Sequence, residues 1–311
     1  MSDQDSSQIA LIVVFSIFIG LYLFILIILH CFGKINNIIF PAPTPMYEEK
    51  YFEDKLYFAN LYNQDGNLVN GKPTEYSQNL EKVRSLPYVY LKNKYSETNL
   101  YIIYFHGNAE DMWAAAQFME QLMKMINANI FVIEYPGYGI YRNVQPTSTL
   151  IEQDALIYYD EIKKEFKLQD EQIYIFGRSI GTGPSFYLAS QRNIRGLITM
   201  SAYKSIRHII SDFCNGCGCI LNLLCCLPNF FRNLERSQDI KCPIVLIHGL
   251  DDPLILSHHS QEIYQNLPVK IQQQSNLNLR PRMTHNEYDI DDDIACPILE
   301  GFTDLKQKKF S

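Results

Sequence analysis

No long cluster of lysine or arginine occurs anywhere in the 311 residues, and the formal charge is −7. Phosphate binding needs concentrated positive charge, so nucleic acid is excluded as an expected partner. No asparagine begins an Asn-x-Ser/Thr acceptor sequence, which leans away from a glycosylated extracellular domain. Neither lysine nor arginine precedes Lys34, and the first residues carry Asp3 and Asp5 instead, unlike the basic start of a cleaved signal peptide. There is no internal repeat. The eight cysteines, at 31, 214, 217, 219, 225, 226, 242 and 296, are too few and too uneven for a disulfide scaffold, and most are expected to be free thiols. The trio at 214, 217 and 219 lacks a second ligand pair at structural-zinc spacing, so the segment 214–226 reads as a lid or membrane-facing loop. Asp289 and Asp291 to Asp293 could be taken for a metal site, but a solvated loop or helix start is the preferred reading.

What the chain has is apolar substance: 47% hydrophobic and 13% aromatic residues, enough for a globular core. From Ile9 to Leu29 it carries no charge at all, which matches the roughly 20 apolar residues that cross a bilayer as a helix. Lys34 and Lys50 lie on the C-terminal side of that run, which favours a single-pass membrane protein with a cytosolic catalytic domain. Pro41, Pro43 and Pro45 make a stiff connector. The expected organisation is a tail over 1–8, an anchor over 9–30, a Pro-rich linker over 31–45, a catalytic domain over 46–305 and a tail over 306–311. Cys31, just past the run, is either a site of S-acylation or a plain interfacial thiol.

Between about Met46 and Leu91, alternating segments such as YFEDKLYFANLY and LPYVYL, separated by QDGN and NGKP, predict a leading antiparallel hairpin. Short apolar runs then alternate with helical stretches: 100–105, 129–135, 172–177, 196–200 and 243–248, with a further strand expected around 269–274. Near-continuous apolar strands with helical crossovers define a doubly wound α/β sheet, whose ligands sit at the carboxyl ends of the strands.

Gly177-Arg178-Ser179-Ile180-Gly181 follows one such strand and precedes a helix, the context of a nucleophile elbow with Ser179 exposed at its tip. A serine hydroxyl needs a histidine base oriented by a carboxylate, and in this architecture the order is serine, acid, histidine. Asp251 and Asp252 both follow the 243–248 strand. Of the histidines beyond them, His258 and His259 are too close and read as a helix start, leaving His285 as the base. His106 and His248 precede glycines at strand ends and are expected to shape those turns. The loop after His106 supplies one oxyanion donor in this architecture, so the backbone N–H groups of Asn108 and Ile180 are the candidates. The chemistry is two-step acyl transfer, for which neither a metal nor an organic cofactor is expected.

FHGNAED (105–111), EYPGYGIY (134–141), FGRSIGTGP (176–184), SAYKSIR (201–207), HGLDDPLI (248–255) and THNEYD (284–289) together resemble the Bem46-like and ABHD17-like α/β hydrolases over roughly residues 95–305. The resemblance implies the α/β-hydrolase fold. It also selects Asp252, three residues after Gly249, as the acid, and His285 before Asn286 as the base. ABHD17-type members remove palmitate from proteins at membranes, so thioester hydrolysis of S-acylated partners is implied. Two departures stand out: an apolar run replaces the family's acylated N-terminal cysteines, and Ser201-Ala202-Tyr203 lacks the usual proline, a change expected to alter the acyl pocket without touching the triad. The expected substrate is an acylated lipid or an S-acylated protein at a membrane. The alternatives are a serine peptidase and a catalytically idle membrane scaffold. Nothing in the chain marks an oligomeric state.

Overall fold

The computed structural model describes residues 36, 39–45, 47–59, 86–142, 144–213 and 229–307. Two compact units divide at Pro41 and Ala42. In the first, the Phe40 N–H donates to the Asn36 carbonyl at 2.7 Å. The apolar run 9–29 and the cysteines at 31, 214, 217, 219, 225 and 226 lie outside the described residues. Among those described, no helix is long and apolar enough to cross a membrane.

The second unit is built on an eight-stranded sheet: β1 (Leu56–Ala59), β2 (Leu86–Leu91), β3 (Tyr101–Phe105), β4 (Asn129–Ile133), β5 (Ile173–Arg178), β6 (Gly196–Met200), β7 (Ile244–Gly249) and β8 (Asn276–Arg280). Their spatial order is β1-β2-β4-β3-β5-β6-β7-β8. β1 and β2 form the leading antiparallel pair, with Tyr57 opposite Tyr88, while β4, β3 and β5 to β8 pair in parallel. This is the α/β-hydrolase arrangement. The central strands β4 to β7 are buried at every position, which is why they read as unbroken apolar runs rather than alternating ones.

Eight helices are described: α1 (Met112–Leu122), α2 (Ser148–Glu165), α3 (Thr182–Gln191), α4 (Ile206–Phe213), α5 (Asn233–Arg236), α6 (His258–Gln265), α7 (Val269–Gln272) and α8 (Cys296–Gly301). Met112, Ala115, Met119 and Leu122 of α1 recur at helical spacing and pack with Tyr104, Phe176 and Ile298 on one face of the sheet. α2 and α3 pack against each other, and the Tyr158 hydroxyl of α2 donates to the Pro87 and Glu134 carbonyls at 2.9 Å.

Two expectations need correction. The strand expected around 269–274 is displaced: Pro268 opens a short helix, α7, in which Ile271 is buried and Val269 is 71% exposed, and the strand is β8 at 276–280. The Val-x-Ile spacing imitated strand alternation, whereas β8 is a half-exposed edge whose NLNLR carries little apolar signal. Residues 49–55 form two 3-10 turns ahead of β1 rather than strand. The acidic stretch is a helix start: Asp289 accepts from the Asp291 and Asp292 amides at 2.9 Å and opens a π-helical turn, Ile290–Ala295.

Candidate active site

Ser179 stands between β5 and α3 with φ +52, the left-handed region that side chains avoid at a cost of about 1–3 kcal/mol. The turn is tight because its neighbours are glycines. A Cβ on Gly177 would strike Ser185 Oγ and the Gly181 carbonyl, and one on Gly181 would strike the Phe105 carbonyl of β3. The strained turn lifts the hydroxyl over the strand end.

Asp252 and His285, the residues expected as acid and base, arrive from the loops after β7 and β8. Asp252 lies past β7, buried, its Oδ1 accepting from the Leu254 and Ile255 amides at 2.9 Å each. His285 lies in the loop after β8, with Nδ1 2.8 Å from Asp252 Oδ2 and Nε2 3.0 Å from Ser179 Oγ. Residues separated by 106 positions in sequence thus meet in one line, Ser179–His285–Asp252. Burial works to raise the Asp252 carboxyl, but the His285 hydrogen bond and charge and the Ile255 amide outweigh it and hold it below the usual carboxylate range. Asp251 is exposed and donates its amide to the Met283 carbonyl at 3.2 Å, in the same loop as His285.

Ser201 and Arg178 hold this line and Glu134 braces the loop after β3, and none was given a site role from sequence. Ser201, buried with φ +53, donates to Asp252 Oδ2 at 3.0 Å. The segment that lacks the family's proline thus reaches Asp252 through its serine. Arg178, the first variable residue of the elbow motif, pairs with Glu110 of the β3–α1 loop. Its Nη2 donates to the His285 carbonyl at 3.2 Å and to Asn286 Oδ1 at 2.9 Å, so one guanidinium ties elbow, β3 loop and histidine loop together. Glu134, at the end of β4, is fully buried against His106. The position of Arg178 beside Ser179 was a usable signal; Ser201 was named only for the missing proline, and Glu134 had none short of the fold.

Asn108 lies in the loop after β3 and Ile180 follows Ser179 directly, so both sit at the carboxyl end of the sheet with the serine. His248 bridges Ser260 Oγ at 2.6 Å and the Ile255 carbonyl at 2.8 Å, bracing the acid loop. His258 and His259 open α6. Among the described residues one group brings three potential metal-ligand atoms together, Asp212, His258 and His259. His259 Nδ1 accepts the Lys204 amide at 3.3 Å, which leaves its proton on Nε2, facing Asp212 Oδ2 at 2.8 Å. A metal ligand needs that nitrogen bare and its partner nitrogen donating, the reverse of this arrangement. The group is a polar cluster in which neutral His259 faces Asp212, linking α4 to α6. Of the cysteines described, Cys242 is a buried free thiol, pushed up to about 12 by burial, and Cys296 is an exposed one.

No protein-family model matches the chain. An α/β hydrolase of Acanthamoeba polyphaga mimivirus is 28% identical over 240 residues, covering 75% of this chain and 86% of the relative. The α/β hydrolase domain-containing protein aho-3 of Caenorhabditis elegans is 30% identical over 171 residues, 55% of this chain and 49% of the relative. Protein 17C of the same designation from Homo sapiens is 25% identical over 171 residues, again 55% of this chain and 49% of the relative. The chain matches about half the length of those last two. An esterase from Pyrococcus furiosus has a TM-score of 0.57 at 14% identity, covering 86% of this chain and 96% of that one, a likeness of fold. The similarity to ABHD17-like α/β hydrolases read from the motifs is shown by these relatives, and they support reading the chain as a hydrolase.

Proposed function

We propose that the chain is a membrane-anchored serine hydrolase that cleaves carboxylic esters or thioesters through an acyl-enzyme, with S-acylated proteins or acylated lipids as its substrates. The observation that carries this reading is the line from Ser179 Oγ through the His285 ring to Asp252, at 3.0 and 2.8 Å, with the serine on a strained turn. Asp252 Oδ2 accepts the proton of His285 Nδ1, which leaves the lone pair of Nε2 toward the serine hydroxyl.

As Ser179 Oγ attacks the acyl carbon, its proton passes to His285 Nε2 and the negative charge moves to the former carbonyl oxygen. The amides of Asn108 and Ile180 are the assigned donors to that oxygen; losing one such donor typically costs about 3 kcal/mol. The imidazolium then returns the proton to the leaving alkoxide or thiolate, and the acyl-enzyme remains. Water, deprotonated by the same nitrogen, attacks the acyl carbon; the bond from that carbon to Ser179 Oγ breaks, the proton returns to Oγ, and the acid leaves.

A bilayer substrate is supported by two features of the chain. The uncharged run 9–29 would hold the domain at a surface and raise the local concentration of acylated substrates. Leu250, Leu254 and Leu256, on the loop that carries Asp252, are 48%, 46% and 45% exposed, so apolar surface flanks the acid. The test is a matched panel of palmitoyl thioester and oxyester substrates, turned over by the wild type and by Ser179→Ala. Loss of all turnover in the variant supports the reading, and preference within the panel selects the leaving group. A well-folded wild type inert on every member favours the idle scaffold.

A further inference from the structure

His106 and Glu134 are both fully buried, at 0% exposure, and the acyl-transfer steps use neither. His106 Nδ1 lies 2.8 Å from the Gly107 carbonyl oxygen and Nε2 lies 3.1 Å from Glu134 Oε1. Both partners are acceptors, so the ring donates to both only as the imidazolium, paired with the Glu134 carboxylate and bridging it to the Gly107 carbonyl. Glu134 is in turn saturated: Oε2 accepts the Tyr47 hydroxyl at 2.6 Å and the Met112 amide at 3.0 Å, and Oε1 also accepts the Tyr135 amide at 3.2 Å. The Tyr135 ring packs 4.2 Å from the imidazole, and its hydroxyl donates to the His106 carbonyl at 2.8 Å. The imidazole therefore has little freedom to turn.

Its target is one half of a peptide unit. A trans peptide is planar, with C=O and N–H pointing opposite ways, and no cis peptide occurs among the described residues. Pinning the Gly107 carbonyl toward His106 thus turns the Asn108 N–H away from it. Sheet order gives that direction a meaning. β3, followed by His106, lies between β4, followed by Glu134, and β5, followed by Ser179. The carbonyl is drawn to the β4 side, so the N–H is aimed to the β5 side, where the serine stands. The elbow closes on this segment, because a Cβ at Gly181 would meet the Phe105 and His106 carbonyls. The Asn108 side chain is held separately, by the Tyr138 hydroxyl at 2.7 Å.

We propose that Glu134 and His106 are positioning residues of the hydrolase: their buried bridge holds the Gly107–Asn108 peptide so that the Asn108 N–H meets the oxyanion forming beside Ser179. The proposal rests on the serine-hydrolase reading and assigns it two residues outside the triad.

The test exploits the two ring nitrogens, on the full-length chain in detergent. The amide nitrogen of an asparagine falls near Nδ1 and keeps the donor to Gly107; that of a glutamine falls near Nε2 and keeps only the link to Glu134. For His106→Asn, His106→Gln and Glu134→Gln, one measures kcat and KM on a short-chain ester, inhibition by a trifluoromethyl ketone that forms a tetrahedral adduct, and Tm. His106→Asn should keep kcat within about tenfold, and His106→Gln should lose about 10²–10³-fold with KM little moved. The ketone should weaken by the same factor as kcat, because only the tetrahedral state uses the donor. A purely structural role would lower Tm without separating Asn from Gln. Glu134→Gln, which opens no cavity, should lower kcat by about tenfold at unchanged KM by loosening the ring. Equal kcat loss in the Asn and Gln variants at equal Tm, a rise in KM alone, or wild-type kcat in Glu134→Gln would overturn the proposal. Ester turnover that survives Ser179→Ala would instead overturn the serine-hydrolase reading, and this proposal with it.

Discussion

Asp252→Asn removes one charge and no atom of bulk, and the surrounding donors dictate how the new amide must sit. Two backbone amides, of Leu254 and Ile255, point at Oδ1 from 2.9 Å and cannot accept, so the asparagine oxygen takes that place. Its NH2 group then occupies the Oδ2 position and faces His285 Nδ1 and the Ser201 hydroxyl, at 2.8 and 3.0 Å in the wild type. The NH2 can only donate, so His285 must accept at Nδ1 and carry its proton on Nε2. That proton confronts Ser179 Oγ, 3.0 Å away, and the base is gone although every atom is in place. A base in the wrong tautomer costs about 10⁴-fold in kcat, or about 5.4 kcal/mol at 1.36 per decade. The fold should persist, since each hydrogen bond keeps a partner. Stopped-assay kinetics at pH 7.5 with Tm measured on the same sample decides the matter. Activity within tenfold of the wild type, in a variant of unchanged Tm, would refute the assignment of Asp252 as the orienting acid.

Arg178→Met should lower both stability and turnover. It keeps the apolar stem but strands the Glu110 carboxylate and releases the His285 carbonyl and Asn286, so about 2–3 kcal/mol of stability is expected to go; wild-type Tm and kcat together would contradict this. Stability should also fall with acidification. Burial, followed by the positive charges of His258 and Lys204, pushes His259 down from 6.5 to about 4. Its folded form therefore resists a proton that the unfolded chain accepts. The stabilisation is present above pH 6.5 and is lost as pH falls toward 4, by up to about 1.4 kcal/mol per pH unit. Burial lowers His248 in the same direction, while the contribution of Asp252, held low by His285, goes only below the usual carboxylate range. Urea unfolding at pH 7.5, 5.5 and 4.5 measures the slope, and a flat profile contradicts it.

The central sheet was legible because its strands are buried on both faces and so are written as unbroken apolar runs, such as YIIYF and IVLIHG. The elbow was legible because glycine at 177 and 181 is demanded by backbone contacts that any side chain would block. The serine, acid, histidine order then left one histidine free to serve. β8 was misplaced because an edge strand with the pattern NLNLR has little apolar signal, while the neighbouring Val269 and Ile271 mimic alternation across a proline-started helix. Ser201, Arg178 and Glu134 act through partners 51, 107 and 28 positions away. No local pattern encodes such distances, which appear only when sheet order brings β3 to β7 side by side.

The claim on which all else depends is that Ser179 is an activated nucleophile. Treating the purified full-length protein with a fluorophosphonate and mapping the adduct by peptide mass spectrometry tests it most directly. The expected result is a single adduct on the Ser179 hydroxyl, lost in Ser179→Ala and strongly slowed in Asp252→Asn and His285→Ala. An unlabelled wild type of native Tm, or an adduct unaffected by Ser179→Ala, would contradict it.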